Sequence, residues 1–458
     1  MKFVRPVSVI HTAHNLKGGL QLAEFAGRLC YKSEGKTAPG SYVKFLLMLI
    51  DKGHTSILEH CPIYVCGYHD MMSIEMINIR HSAFSRFVAD IKDAKPNSNF
   101  YYIYTNLRVV YNESPELAKA LIQTSTMEGD EIWKAHGVAW FVPKFDHPFT
   151  RMSAYITTLR SIVDELVRER VQSDAVESTR WCDYSNEGRF EGISFCLPHW
   201  VEDSTFNTCF KRFLKDVETI EKNEDKIQRL YDLEDIAFCL YQNDTNIANK
   251  RAYHYIRCCI MDEIFYNEAK DELDLPAQDA REYLFLGVKS EMYYTGFNKE
   301  WDNIIDKRLY DKYGKAHPNM HITMQQCKDH LDVIRISQKA ITEAEKTISE
   351  QKDVVEKAEN RIENVENVKE LATKKLEAAK KAKADADKKI SDAKKVIDAQ
   401  KKIIEDAKKA IDFAEKSKDE PKADIKQFKK LLDAAKADLK EAETQSDKDK
   451  AEGNVKTF

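Results

Sequence analysis

From about residue 330 to 450 the chain contains no glycine and a single proline, Pro421, in a background of Lys, Ala, Asp, Glu and Ile. Strong helix formers dominate the segment, so it admits little but helix. Ile341, Ile348, Val355 and Ile362 recur every seven residues; Lys369 and Lys383 interrupt the series, and Leu376, Ile390, Ile397, Ile404 and Ile411 fill the other positions. Ala344, Ala358, Ala372, Ala379, Ala386, Ala393 and Ala407 occupy most of the second seam position. A sustained seven-residue apolar repeat predicts left-handed supercoiling against a partner. Ile425, Phe428, Leu432, Ala435 and Leu439 continue the phase after Pro421, a residue suited to the first turn of a new helix. The partner is either another copy of the tail or the tail's own last helix folded back, and the pattern leaves both open. We expect a long coiled-coil helix over 329–418 and a second helix with a C-terminal tail over 419–458. Basic and acidic residues nearly cancel there, which argues against a nucleic-acid-binding arm.

Residues 1–328 have a different character, with nearly all the aromatics and most of the Gly and Pro. At 458 residues the chain exceeds what one core supports. Short apolar runs at 63–66 and 193–196 predict strands. Helical periodicity covers 17–50, 161–180, 206–241 and 251–272. The expected class is α+β, a central sheet flanked by helices, with an inserted helical pair in 205–250. Tyr101–Tyr104 followed by Asn106–Val110 reads as a strand bearing a polar turn, and 69–150 offers little chemistry. The net charge of −5 suggests neither a nucleic-acid nor a membrane-surface protein. The start, Met1-Lys2-Phe3-Val4-Arg5-Pro6, does not read as a signal peptide, and no run reaches the roughly 20 apolar residues of a membrane span. The 10 cysteines form no CxxC pair or Cys/His quartet, so the expectation is a cytoplasmic protein with reduced, mostly buried thiols and no metal site.

The chemistry concentrates in Arg168-Glu169-Arg170-Val171-Gln172-Ser173-Asp174-Ala175-Val176-Glu177-Ser178-Thr179-Arg180, followed by Trp181. Arg168, Arg170 and Arg180 keep their charge at physiological pH, and the planar guanidinium suits phosphate or carboxylate. Three more segments stand in order around it. They are Arg28-Leu29-Cys30-Tyr31-Lys32-Ser33, Gly53-His54-Thr55-Ser56-Ile57-Leu58-Glu59-His60, and Ala280-Arg281-Glu282-Tyr283-Leu284. A last stretch begins Tyr294-Thr295-Gly296-Phe297-Asn298 and carries Trp301, Asn303, Arg308 and Ala316-His317-Pro318. Together these resemble the flavin-dependent thymidylate synthases, whose signature is Arg-His-Arg, seven residues, Ser. The other segments resemble that family's Arg-x-Cys-Tyr-x-Ser, Gly-His-x-Ser-x-x-Glu-His and Ala-Arg-x-x-Leu, and its last active-site helix.

The resemblance implies reductive methylation of dUMP, with methylenetetrahydrofolate and NADPH as co-substrates, FAD as cofactor and a homotetramer with active sites at its interfaces. It implies catalytic roles for Arg168, Ser178 and His54. It places Ser56, Glu59, Arg168, Glu169, Arg170, Asn298 and Asn303 on FAD, and Glu165, Ser178, Arg180, Arg281 and Arg308 on dUMP. Beside a mild exchange of tyrosine for Trp181, four departures stand out: Glu169 for the middle histidine, Gln172 for a usual alanine, Val176 for an acidic or amide residue, and Phe285 for a proline. They leave open a catalytically inactive relative that works as a scaffold through its coiled coil, or a flavin or nucleotide sensor. Duller roles also exist: His54 and His60 as ordinary histidines, Ser178 as a turn residue, Asn303 as a solvated side chain, and Arg308 paired with Asp306 or Asp311.

Overall fold

The computed structural model describes residues 2–13, 15–89, 100–124, 130–169, 171–185, 192–219, 225–312, 314–363, 376–385, 387–388 and 391. The chain divides into two units, Met1–Lys339 and Ala340–Phe458. The first mixes helices and sheets. Its strands are β1 (Lys2–Val4), β2 (Val7–His11), β3 (Pro62–Tyr68), β4 (Arg86–Ala89), β5 (Phe100–Asn106), β6 (Val138–Trp140), β7 (Arg151–Leu159), β8 (Ser173–Val176), β9 (Ser194–Cys196) and β10 (Lys289–Phe297). They form two four-stranded sheets, β2-β7-β10-β8 and β4-β5-β3-β6, and a parallel pair β1-β9. The expected central sheet is thus joined by a second sheet, in which β3 pairs with strands from 69–150, the segment that offered little chemistry.

The first sheet positions the site. β7 and β10 pair antiparallel along their whole length, from Arg151↔Phe297 to Leu159↔Lys289. Both are rich in β-branched and aromatic residues, which fit a pleated, packed surface. Every residue of β7 is buried, because both faces are covered. Met152, Ala154, Ile156, Met292 and Tyr294 join Met320, Met324, Cys327 and Leu331 of the helix Pro318–Glu363 in one apolar cluster. The opposite face is polar yet buried, and it satisfies itself: Ser153 Oγ lies 2.8 Å and His60 Nδ1 2.7 Å from Thr295 Oγ1. Burial, and after it the charge of Arg151, pushes His60 down to about 3, so it is a neutral core histidine.

Several expectations need correcting. The stretch 161–180 is helical only through Leu166; the chain then turns, Val171 adopts φ 64, and β8 follows. The helix over 17–50 is two, Leu16–Cys30 and Ser41–Asp51. Asn106 does not turn a strand but caps the helix Leu107–Glu113, its Oδ1 accepting from Val109 N at 3.1 Å. Tyr294–Phe297 is strand, and the helix begins at Asn298. The strands at 63–66 and 193–196 form as expected. So do the helical pair, Asp203–Val217 and Lys226–Asn243, and the long helix Ile247–Asp271, which share one core through Phe206, Phe213, Ile256 and Ile260. Six of the cysteines are buried, and Cys239 and Cys258 are exposed. Among the described residues no helix is long and apolar enough to cross a membrane.

In the second unit the described residues are helical through Glu363 and again over 376–385. Ile341, Ile348 and Val355 are exposed along that helix. Most of the expected seam beyond Ile362, and the whole second helix of 419–458, lie outside the described residues.

Candidate active site

Three of the sequence segments meet at one tyrosine. The helix Ser41–Asp51 ends in Gly53 at φ 77, a left-handed stop that glycine adopts without strain, and His54 N donates back to Leu49 O at 2.8 Å. That turn exposes His54, whose Nδ1 lies 2.8 Å from Tyr31 Oη with the two rings stacked at 14°. Tyr31 caps the helix Leu16–Cys30 and meets the Trp181 ring edge-on, centroids 6.1 Å apart. Ser178 N donates to Cys30 O at 3.1 Å, which ties the turn after β8 to the same helix end. Ser178 O in turn accepts from Cys182 N at 3.0 Å. Arg28, one turn earlier, is structural: it is buried, paired with Glu24 and stacked over Phe45.

A second group gathers on the apolar face of the first sheet. Glu169 Oε2 lies 2.9 Å from Lys307 Nζ, and Glu169 Oε1 lies 3.1 Å from Arg308 Nε. Arg308 Nη1 also reaches Glu165 Oε2 at 3.2 Å. Burial pushes the Glu169 carboxyl up, but the hydrogen bonds and charges of Lys307 and Arg308 outweigh it and hold it below the usual glutamate range. Arg308 therefore pairs with Glu165 and Glu169, while Asp306 holds Lys312 and Asp311 holds His321.

The other anticipated residues divide into available and occupied. Arg168, Arg180 and Arg281 are exposed, and among the described residues their side chains make no hydrogen bond or ion pair. Ser56 is exposed and Glu59 half-buried on the 3-10 turn Thr55–His60. Asn298 is not available: it is buried, its amide donates to Phe145 O at 2.8 Å, and its oxygen accepts from Arg335 Nε at 3.1 Å. Asn303 is exposed and donates to Glu300 at 3.1 Å. Arg170 lies outside the described residues.

Residues 145–334 match the family described as thymidylate synthase complementing protein. A flavin-dependent thymidylate synthase of Mycobacterium sp. (strain KMS) is 39% identical over 74 residues, 15% of this chain and 29% of that protein. One from Mycobacterium leprae (strain Br4923) is 35% identical over 102 residues, 20% of this chain and 39% of the relative. Part of the chain is similar to the flavin-dependent thymidylate synthases. It spans only about a third of the length of the curated relatives it matches. Among solved structures, a UMP/dUMP methylase PolB from Streptomyces cacaoi bound with 5-Br UMP overlaps 74% of this chain and 95% of its own, at 10% identity and a TM-score of 0.30. Thymidylate Synthase X from Helicobacter pylori with FAD and dUMP overlaps 71% and 93%, at 12% identity and a TM-score of 0.24. These overlaps are loose, and the family match rests on sequence.

Relative to the flavin-dependent thymidylate synthase pattern, each departure has a local accommodation. The anion of Glu169 is neutralised by Lys307 and Arg308. Gln172 lies over Gly296, where a Cβ would come within 1.6 Å of its Oε1, so only glycine leaves it room. Val176 packs against the apolar cluster instead of offering a hydrogen bond. Phe285 keeps a backbone amide that proline lacks, and its N donates to Asp262 Oδ1 at 2.7 Å, fixing the turn that carries Arg281.

Sequence reasoning missed the buried charges. Arg151 is 2% exposed; its Nη2 donates to Glu59 O at 3.2 Å and Ser173 Oγ at 3.1 Å, while Nε and Nη1 find no hydrogen-bond partner among the described residues. Burial lowers it to about 10, still charged at neutral pH. Lys32, Glu177, Lys289 and Glu291 form a second buried group directly behind Ser178.

Proposed function

We propose that the chain binds dUMP and converts it to thymidylate by reductive methylation, with FAD as cofactor and methylenetetrahydrofolate and NADPH as co-substrates. The observation that carries the reading is the meeting of three motif segments at Tyr31, His54, Trp181 and Ser178, next to Arg180, whose exposed side chain has no ion-pair partner among the described residues. Exposed guanidinium groups in these motif segments suit an anionic ligand, and phosphate matches the guanidinium fork. Arg180 and Arg281 are the candidates for the dUMP phosphate, with Arg308 joining once it leaves Glu165 or Glu169. Arg168 is the candidate to stabilise negative charge on the pyrimidine carbonyl.

For the flavin the fit is partial. Ser56 and Glu59 are open to a ligand, whereas the Asn298 amide is already bonded to Phe145 and Arg335. Bound reduced FAD supplies the hydride and carries the one-carbon unit. The protein's part is to orient the nucleotide and hold its phosphate. A homotetramer with shared sites, and a coiled-coil tail pairing with itself or another partner, belong to the same proposal.

A second reading has its own support. Glu165 and Glu169 occupy the one arginine expected to bind phosphate from the last helix, as they would in a catalytically inactive scaffold. Two measurements separate the readings. Purified protein reconstituted with FAD should show a flavin spectrum, and calorimetry should show dUMP binding to it. A colourless protein that takes up no FAD and binds no dUMP rules out the enzyme.

A further inference from the structure

The charges closest to the Ser178–Tyr31 junction lie behind it. Lys32 Nζ bonds Glu291 and lies 3.4 Å from Glu177 Oε2. Lys289 Nζ lies 3.1 Å from the same Glu177 oxygen and 2.6 Å from Glu291 Oε1. Tyr184 Oη donates to Glu177 Oε1 at 2.8 Å. The side chains of Glu177 and Glu291 are 2% and 7% exposed, those of Lys32 and Lys289 15% and 12%. Two ammonium groups and two carboxylates balance. Burial works against each charge, and the mutual attraction prevails: both lysines are raised above, and Glu291 held below, their ordinary values.

Such a group contributes little net stability. Desolvating four charges offsets most of their attraction, and an apolar set of similar volume often serves as well. What it supplies here is position. Lys32 has φ 49, a left-handed conformation that a residue with a Cβ seldom adopts. That turn sends Lys32 to the carboxylates while Tyr31 faces His54 and Trp181. The β8–β10 ladder stops at Val176↔Met292, yet Glu177 N still donates to Glu291 O at 2.8 Å, and the next amide, Ser178 N, bonds Cys30 O. Tyr31 and Ser178 therefore each have a member of the tetrad one residue away, Lys32 and Glu177.

We propose that Lys32, Glu177, Lys289 and Glu291 are positioning residues that set the spacing between Ser178 and the Tyr31–His54 pair, and through it the affinity for the nucleotide. The proposal rests on the dUMP reading above for its ligand and on the tetrad geometry for its mechanism. The test uses full-length protein carrying Glu177→Gln, and a charge-balanced double variant, Glu177→Gln with Lys289→Met. Neutrality returns in the double variant, but the hydrogen-bond geometry does not. We expect both to lose dUMP affinity by roughly tenfold or more, as small misplacements at binding sites do. FAD uptake should be unchanged, and the double variant should recover the thermal stability that the single variant loses. The emission of Trp181, isolated as the difference from a Trp181→Phe background, should shift in both.

A double variant that recovers dUMP affinity along with stability would mean that the tetrad serves only the fold. Wild-type affinity and unshifted Trp181 emission in both variants would overturn the proposal outright. If Glu177→Gln alone does not fold, the double variant carries the same comparison. Wild-type protein that binds no dUMP refutes the dUMP reading, and the Trp181 emission then decides the positioning claim by itself.

Discussion

Replacing Glu169 with Gln should tighten dUMP binding. Arg308 is held by Glu169 at 3.1 Å and by Glu165 at 3.2 Å, and it must give up at least one of these bonds to meet a phosphate. A hydrogen bond to a charged group is worth about 1.5–3 kcal/mol net. Arg308 is 22% exposed and Lys307, the other partner of Glu169, 42%, so solvent screens part of that. About 1–1.5 kcal/mol remains, which corresponds to roughly fivefold to tenfold in affinity. Isothermal calorimetry with dUMP on both proteins is the assay. The substitution should also lower stability by about 1 kcal/mol at neutral pH, because the part-exposed ion pairs with Lys307 and Arg308 are both lost. Glu169 titrates below the usual glutamate range in the fold, so its contribution is present above the unfolded value and disappears as pH falls through the folded one. The two melting temperatures should therefore converge in acid. Unchanged or weaker dUMP binding in the variant would refute the view that Glu169 competes with substrate for Arg308.

Arg180→Ala and Arg281→Ala should each weaken dUMP binding by about 1.5–3 kcal/mol by calorimetry, with melting temperatures near wild type, because both side chains are exposed and unpaired among the described residues. Asp262 is raised to about 7 by burial, so the fold prefers its protonated form, and stability should fall as pH rises from about 4 through 7. Asp262→Asn, followed by thermal melts from pH 5 to 8, should flatten that decline; an equally steep decline in the variant would show that another group causes it. Gly296→Ala should displace only the Gln172 amide, the far end of a flexible side chain, and cost about 1 kcal/mol or less by urea denaturation; a loss of about 3 kcal/mol would show that Gln172 cannot move aside.

What was legible in the sequence was the order of the chemistry-bearing segments and the elements whose pattern is local. The helices at 203–271 form because their apolar periodicity persists over many turns. Residues 161–180 begin the same way, with Ile162, Val163 and Leu166 buried on one face, but the signal lasts only two turns. Beyond them, pairing of Ser173–Val176 with β10, more than a hundred residues away, outweighs local preference, and no local pattern announces it. The same holds for the site. Arg168, Arg180 and Arg281 could be named from their motifs, whereas the pairing of Glu169 with Lys307 and Arg308, and the tetrad behind Ser178, join residues far apart in sequence. Asn298 was assigned to the flavin from its place in the motif, whereas its bonds to Phe145 and Arg335 join residues far apart in sequence.

The central claim is that this diverged site still turns over dUMP. The most direct measurement incubates the purified, FAD-loaded full-length chain with dUMP, methylenetetrahydrofolate and NADPH, and follows thymidylate by chromatography together with NADPH oxidation. The account predicts thymidylate that appears only when all three are present, and that falls with Arg168→Ala. Flavin-loaded protein that binds dUMP yet forms no thymidylate, in wild type and in Glu169→His alike, would contradict it and leave a nucleotide-binding protein without the chemistry.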